Sequence, residues 1–230
     1  MQPVLDVPTR SAPRPPTAGT RVPALAGTAQ RLALDLLAHD PARRRHSSAV
    51  AARAGEGAGT LVPALRSVVV AAAWLHDVGY APALRVTGFH PLDGARHLRA
   101  HGWPHPVPTL VAHHSGARFV APAHDLADAL AEFPLDGPED DERRDREDGD
   151  GTGVVPGSRL RDAADVLTWA DQTTGPRGGP VTLDERLDDM LRRHGPDSPN
   201  ARVHRERAAH LRAAVARVEE RRRRLAATTP

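Results

Sequence analysis

The chain has 230 residues, 40 % hydrophobic and 26 % charged, which suits one globular domain with a sizeable core and excludes a wholly disordered or fibrous chain. It contains no Cys, which excludes disulfides, thiolate zinc sites, iron–sulfur clusters and a cysteine nucleophile; nitrogen and oxygen donors, 13 His among them, are left for any metal. All 31 cationic residues are Arg, so a Schiff-base Lys is excluded, and a net charge of +2 argues against a dedicated nucleic-acid binder.

Residues 1–24 carry Pro3, Pro8, Pro13, Pro15, Pro16 and Pro23 among small polar residues and read as a disordered or extended tail, without the charged-then-apolar pattern of a signal peptide. Residues 25–230 then read as a single helical domain. Leu32, Leu36 and Leu37 mark a first helix, and a second, over 42–54, carries Val50 and His46. The third runs from about Leu61 to Asp77; its VVVAAAWL stretch is apolar all round, as in a helix at the centre of a bundle. The apolar run Val68–Leu75 is too short to span a bilayer, so a cytoplasmic location with no membrane partner is expected.

Gly79 stops this helix. His90-Pro91 opens another through Arg99, and Pro106 opens one ending at His113-His114-Ser115-Gly116. A further helix is expected over 122–132. Residues 136–157, with EDDERRDREDGDGTG and nothing apolar to bury until Val154, read as a flexible charged loop. Helices are expected over 159–171 and 182–194, and residues 199–226 read as a C-terminal amphipathic helix with a solvated basic end. No hairpin signal or useful alternating run occurs, so the expected class is all-α.

His-Asp dipeptides occur three times. His39-Asp40, before Pro41, reads as a fraying helix end; His124-Asp125 puts an acid near a helix N-terminus, where it complements the dipole. His76-Asp77 differs, because it closes the most apolar helix and delivers two polar side chains into the interior, where they need a partner. A cation bound by both would supply one.

The segment AAAWLHDVGY, with His46 in RRRHSSAV upstream and Asp171 in DVLTWADQTTG downstream, resembles the HD superfamily of metal-dependent phosphohydrolases over roughly residues 30–195. The resemblance implies an HD-type helical bundle in which His46, His76, Asp77 and Asp171 surround a metal. His90 in GFHPLDGA and His113-His114 in LVAHHSGA resemble the added histidines of members that hold two or more metals, which include cyclic-di-GMP phosphodiesterases and diiron oxygenases. The general run is similar to small HD-domain proteins of high-GC bacteria. HDVGYA lacks the Lys that some members place beside the substrate, and HHSGARFV replaces the HHExxDGxGYP signature of the cyclic-di-GMP enzymes, which argues against that substrate.

Seven candidate ligands, His46, His76, Asp77, His90, His113, His114 and Asp171, exceed the needs of one ion and suit one or two divalent ions of Mn, Fe, Co, Ni or Zn, with Asp77 as the natural bridge. Neighbours at a helix terminus can fan apart from the roughly 100° of an ideal helix, so either His113 or His114 can be the ligand and the other can orient a water or the substrate. Two metals about 3.5–4 Å apart would polarise a phosphoryl oxygen and lower the pKa of a water, with Asp77 and His114 as catalytic groups and no protein nucleophile. Arg96, Arg118 and Arg177 lie beside the motifs as candidate phosphate clamps, although each also reads as an ordinary surface arginine. Asp93 reads as dipole complementation, and Asp165 as facing away from Asp171. His97, His101, His105, His194, His204 and His210 have no motif context and are expected at the surface.

The expected function is hydrolysis of a phosphomonoester or phosphodiester of a small, nucleotide-like substrate. The alternatives are an HD-type diiron oxygenase and a non-catalytic nucleotide-binding sensor.

Overall fold

Pro41, Pro63, Pro91 and Pro106 each fall in the first turn of a helix, where a missing N–H leaves no bond unmade. The computed structural model describes residues 22–135 and 157–228. Among them no strand occurs, only an isolated antiparallel bridge between Thr174 and Pro180, and the fold is all-α. In chain order the helices are α1 (Val22–Leu36), α2 (Pro41–Ala58), α3 (Pro63–Leu75), α4 (His90–Ala100), α5 (Pro106–His113), α6 (Ala117–Val120), α7 (Ala127–Ala131), α8 (Gly157–Gln172), α9 (Leu183–His194), α10 (Pro199–Arg202) and α11 (His204–Thr228). The expected tail lies outside the described residues except for its last three, which open α1. The expected charged loop lies outside them except for Gly157, which begins α8. No helix of the described residues is long and apolar enough to cross a membrane.

The apolar third segment forms the centre: α3 packs against α1, α2, α5 and α8, and Leu65, Val69 and Leu75 are wholly buried. Burial of each such side chain contributes roughly 1.5–3 kcal/mol. Small residues set the spacing. A Cβ on Gly57 would lie 2.9 Å from Val166 and 3.2 Å from Trp169, so only Gly lets α2 approach α8 this closely. Trp169 is fully buried, donates its Nε1–H to Glu219 of α11 and lies under the guanidinium of Arg53 at 4.0 Å. Asp165, which the sequence places off the ligand face, accepts from Nε and Nη2 of Arg217 at 2.7 Å each and so ties α8 to α11. A smaller cluster of Leu187, Met190, Ala208 and Leu211 joins α9 to α11.

Several boundaries differ from the sequence pattern. Asp40 is not a frayed end: it caps α2 by accepting the Arg43 N–H at 2.9 Å. The third helix stops at Leu75, and His76 and Asp77 lie in the turn before a 3₁₀ segment at Val78–Tyr80. The expected 122–132 helix is broken because Asp125 adopts a left-handed φ of 57°, ending a 3₁₀ turn at Ala121–His124 rather than capping α7. The C-terminal helix breaks at Val203.

Asp93 does more than complement a dipole. It is buried and accepts the N–H groups of Val86, Thr87 and Gly88 at 2.9–3.2 Å, which fixes the loop leading into α4. At the other face of α4, a Cβ on Gly79 would lie 2.0 Å from the His90 carbonyl oxygen and 2.8 Å from the Gly94 nitrogen. Gly79 therefore permits the backbone contact that seats the start of α4 on the His76-Asp77 turn.

Candidate metal centre

Five helices deliver six polar side chains to one place, all but His46 from a helix end or the turn beside it. His46 faces inward from α2, and His76 and Asp77 leave the end of α3. Asp171 is the penultimate residue of α8, His90 is the first of α4, and His114 follows α5. His46, His76 and Asp77 offer ligand atoms within 4.8 Å of one another, and so do Asp77, His90 and His114. The two groups share Asp77. Its Oδ2 is 3.5 Å from His76 Nε2, and its Oδ1 is 3.5 Å from His90 Nε2 and 3.9 Å from His114 Nε2. Asp171 Oδ1 is 3.0 Å from His46 Nε2 and 3.9 Å from His76 Nε2.

Backbone carbonyls set the tautomers. Nδ1 of His46, His76 and His114 lies 3.0, 2.7 and 2.6 Å from the carbonyl oxygens of Gly175, Ala73 and Val111. A carbonyl only accepts, so each Nδ1 carries the proton and each Nε2 turns its other side to the shared centre. His76 Nε2 is buried with no hydrogen-bond partner. An orphaned imidazole nitrogen facing two buried carboxylates is an expensive arrangement for an apolar interior, and a cation between them satisfies every group. The cluster is thus able to hold a divalent metal.

The electrostatics put Asp77, Asp171, His90 and His114 in their ligating states. Burial alone would raise the Asp77 carboxyl, but His76 and then Arg43 outweigh it and hold the group far below the usual carboxylate range. Asp171 is lowered too, its burial overcome by hydrogen bonding from His46 and by the charge of Arg186. His114 falls to about 4 through burial and the proximity of His76, and His90 falls through burial and His114. His46 goes the other way: burial opposes its charge, but the hydrogen bond to Asp171 prevails. At neutral pH the centre presents two carboxylates with neutral His90 and His114, the forms that bind metals.

Surrounding groups fix the donors. Ser115 Oγ donates to Asp171 Oδ2, and Gln172 Nε2 donates to the same oxygen at 2.8 Å. Ser115 has a φ of 53°, a left-handed conformation for a residue with a Cβ, and this turn carries His114 inward. Arg43 Nη1 meets Asp77 Oδ2 at 2.6 Å while its guanidinium lies 3.5 Å over the Tyr80 ring, and Tyr80 stacks on His90 at 3.9 Å. Burial and the Asp77 charge push the Tyr80 hydroxyl up to about 12, so it stays protonated.

The centre opens onto a cavity of about 440 Å³, the size of a small-molecule site. Arg43, Arg186, Arg193 and Arg207 line it.

Of the seven ligands expected from the sequence, His46, His76, Asp77, His90, His114 and Asp171 come together and His113 does not. His113 is the last residue of α5, half-buried, and its Nε2 donates to the Phe133 carbonyl at 2.7 Å. His114 leaves the helix with ψ near 157°, so the two rings diverge. The three expected phosphate clamps also lie elsewhere. Arg96 pairs with Glu132 at 2.5 Å on the outer face of α4, Arg118 packs over Phe119 and against His210, and Arg177 is exposed and off the cavity wall. The sequence pattern does not single out the cavity arginines. Arg43 was detectable, three residues before His46 and therefore on the same helix face. Arg186 and Arg207 approach through tertiary packing and leave no local signal. Among the remaining histidines, His194 is exposed but lines the cavity, whereas His97, His204 and His210 are half-buried rather than at the surface. No protein-family model, curated protein or solved structure matches the chain.

Proposed function

We propose that the chain is an HD-type metal-dependent phosphohydrolase that cleaves a phosphomonoester or phosphodiester of a nucleotide-like compound. One observation carries the reading: two ligand groups sharing Asp77 open onto a cavity whose walls hold Arg43, Arg186, Arg193 and Arg207. A metal site alone suits many reactions; a metal site ringed by guanidinium groups suits a phosphoryl group, which binds divalent ions and forked donors together.

His46, His76 and Asp77 would hold one divalent ion, with Asp171 beside them, and Asp77, His90 and His114 a second. Such ions supply polarisation of a phosphoryl oxygen and a water of lowered pKa. The rest falls to the side chains. Arg43 and Arg186 touch the carboxylates Asp77 and Asp171, at 2.6 and 3.2 Å, and are placed to neutralise phosphoryl oxygens next to them. Ser115 and Gln172 keep Asp171 from swinging away. The carbonyl of Val111 fixes the His114 ring, so its Nε2 faces the centre as a ligand.

The test is metal analysis of the purified protein followed by a panel of phosphomonoesters and phosphodiesters with Mn, Fe, Co, Ni and Zn. Phosphate release by wild type and its loss in His76→Ala is the expected result. Failure of every substrate with every metal sinks the hydrolase reading; oxygen uptake by the iron-loaded protein in its place assigns the oxygenase alternative.

A further inference from the structure

Arg207, in the first turns of α11, is 6 % exposed and is the one buried arginine among the described residues. Its Nε donates to the Ser115 carbonyl at 2.8 Å, and its Nη1 lies against the sulfur of Met190, a weak acceptor. The other arginines of the cavity each have a carboxylate: Arg43 has Asp77 at 2.6 Å, Arg186 has Asp171 at 3.2 Å and Arg193 has Asp189 at 2.7 Å. Arg207 has none within ion-pairing distance among the described residues. Burial lowers its pKa to about 10, which leaves it charged at neutral pH.

A desolvated guanidinium with five donors and no counter-ion is costly, and its contact with the Met190 thioether would be made as well by an apolar side chain. Arg207 lines the cavity onto which the His/Asp centre opens. We propose that Arg207 receives an oxyanion borne by the ligand. This oxyanion is separate from the phosphoryl group at the His/Asp centre, because Arg43 and Arg186 touch the ligand carboxylates and Arg207 touches neither. The substrate class is then a compound with two anionic groups, one reacting and one held by Arg207. The substrate half of this inference rests on the proposed hydrolase reading; the anion site does not.

The anion site is tested in EDTA-treated, full-length protein, where Asp77 and Asp171 occupy Arg43 and Arg186. Inorganic phosphate and acetate are titrated separately at constant ionic strength, with melting temperature and calorimetric affinity as readouts. A saturable rise of several degrees is expected; the anion acting at lower concentration identifies the group as phosphate or carboxylate. Arg207→Met removes the rise, and Arg207→Lys, which keeps the charge but loses the fork, weakens affinity at least tenfold. If Arg207→Met does not fold, the lysine variant decides alone. No rise with either anion, or unchanged affinity in the lysine variant, overturns the site. In the metal-loaded protein, substrates with a second anionic group should show the lower KM, and Arg207→Lys should narrow that difference. Equal KM values in wild type overturn the substrate class. A panel with no hydrolysis fails the hydrolase reading and leaves the anion titration standing.

Discussion

Asp77→Asn is the sharpest probe of the centre, because it preserves volume while removing the one carboxylate common to both ligand groups. A metal at one hundred times its dissociation constant stabilises a fold by about 2.7 kcal/mol. For a domain of this size each kcal/mol moves the melting temperature by about 2–4 °C, so wild type should gain about 5–11 °C on metal addition and lose it in EDTA. In Asp77→Asn that gain should fall close to zero. The metal-free baseline should also drop. Arg43 loses a partner at 2.6 Å, but its side chain is 27 % exposed and Asp40 remains at 3.6 Å, so the penalty is about 1–2 kcal/mol rather than that of a fully buried orphan. Scanning calorimetry with and without EDTA, with elemental analysis of both proteins, measures each part. An Asp77→Asn protein that keeps the metal-dependent rise, or the wild-type metal content, would refute the assignment of Asp77 as the shared ligand.

His46→Ala should empty one ligand group and spare the other, lowering metal content from two equivalents to one; an unchanged ratio would count against two separate groups. His113→Ala should keep the metal and cost about 1 kcal/mol, from the lost hydrogen bond to Phe133, whereas His114→Ala should lose metal; equal metal content in the two would show that the rings are not sorted as the structure has them. In EDTA the protein should weaken as pH falls from 6.5 towards 4. The His114 pKa lies at about 4 against an ordinary 6.5, so in that window the unfolded chain takes up a proton that the folded one refuses. His90 acts in the same direction; His46, whose pKa is raised, acts against them, stabilising below 6.5 and losing that contribution as pH rises through its folded value. His97, His194 and His210 are lowered as well, mainly by burial, so the histidines that destabilise in acid outnumber the one that opposes them; a urea midpoint that rises between pH 7 and pH 5 would contradict the net loss. Gly79→Ala drives a Cβ into the His90 carbonyl and should cost about 3 kcal/mol or more, with loss of metal bound through His90; a wild-type melting temperature would refute the close contact.

The amino-acid sequence determined most of what is periodic or local. Apolar spacing marked the helices, and prolines and glycines marked many of their ends. The doublet His76-Asp77 stood out because the residues before it are too apolar to leave two polar groups unserved. His46, His90 and Asp171 followed from a resemblance in their order along the chain. Tertiary structure alone decided the rest. Between His113 and His114 the choice turned on one backbone dihedral at the end of α5, and composition does not encode a ψ near 157°. The arginines were misassigned for a related reason. Arg96 is close to a motif in sequence but faces outward from α4, while Arg207 reaches the carbonyl of Ser115, 92 residues away, because α11 packs beside that turn. A side chain's chemistry depends on the atoms that surround it, and for long-range neighbours those atoms are chosen by how the helices pack.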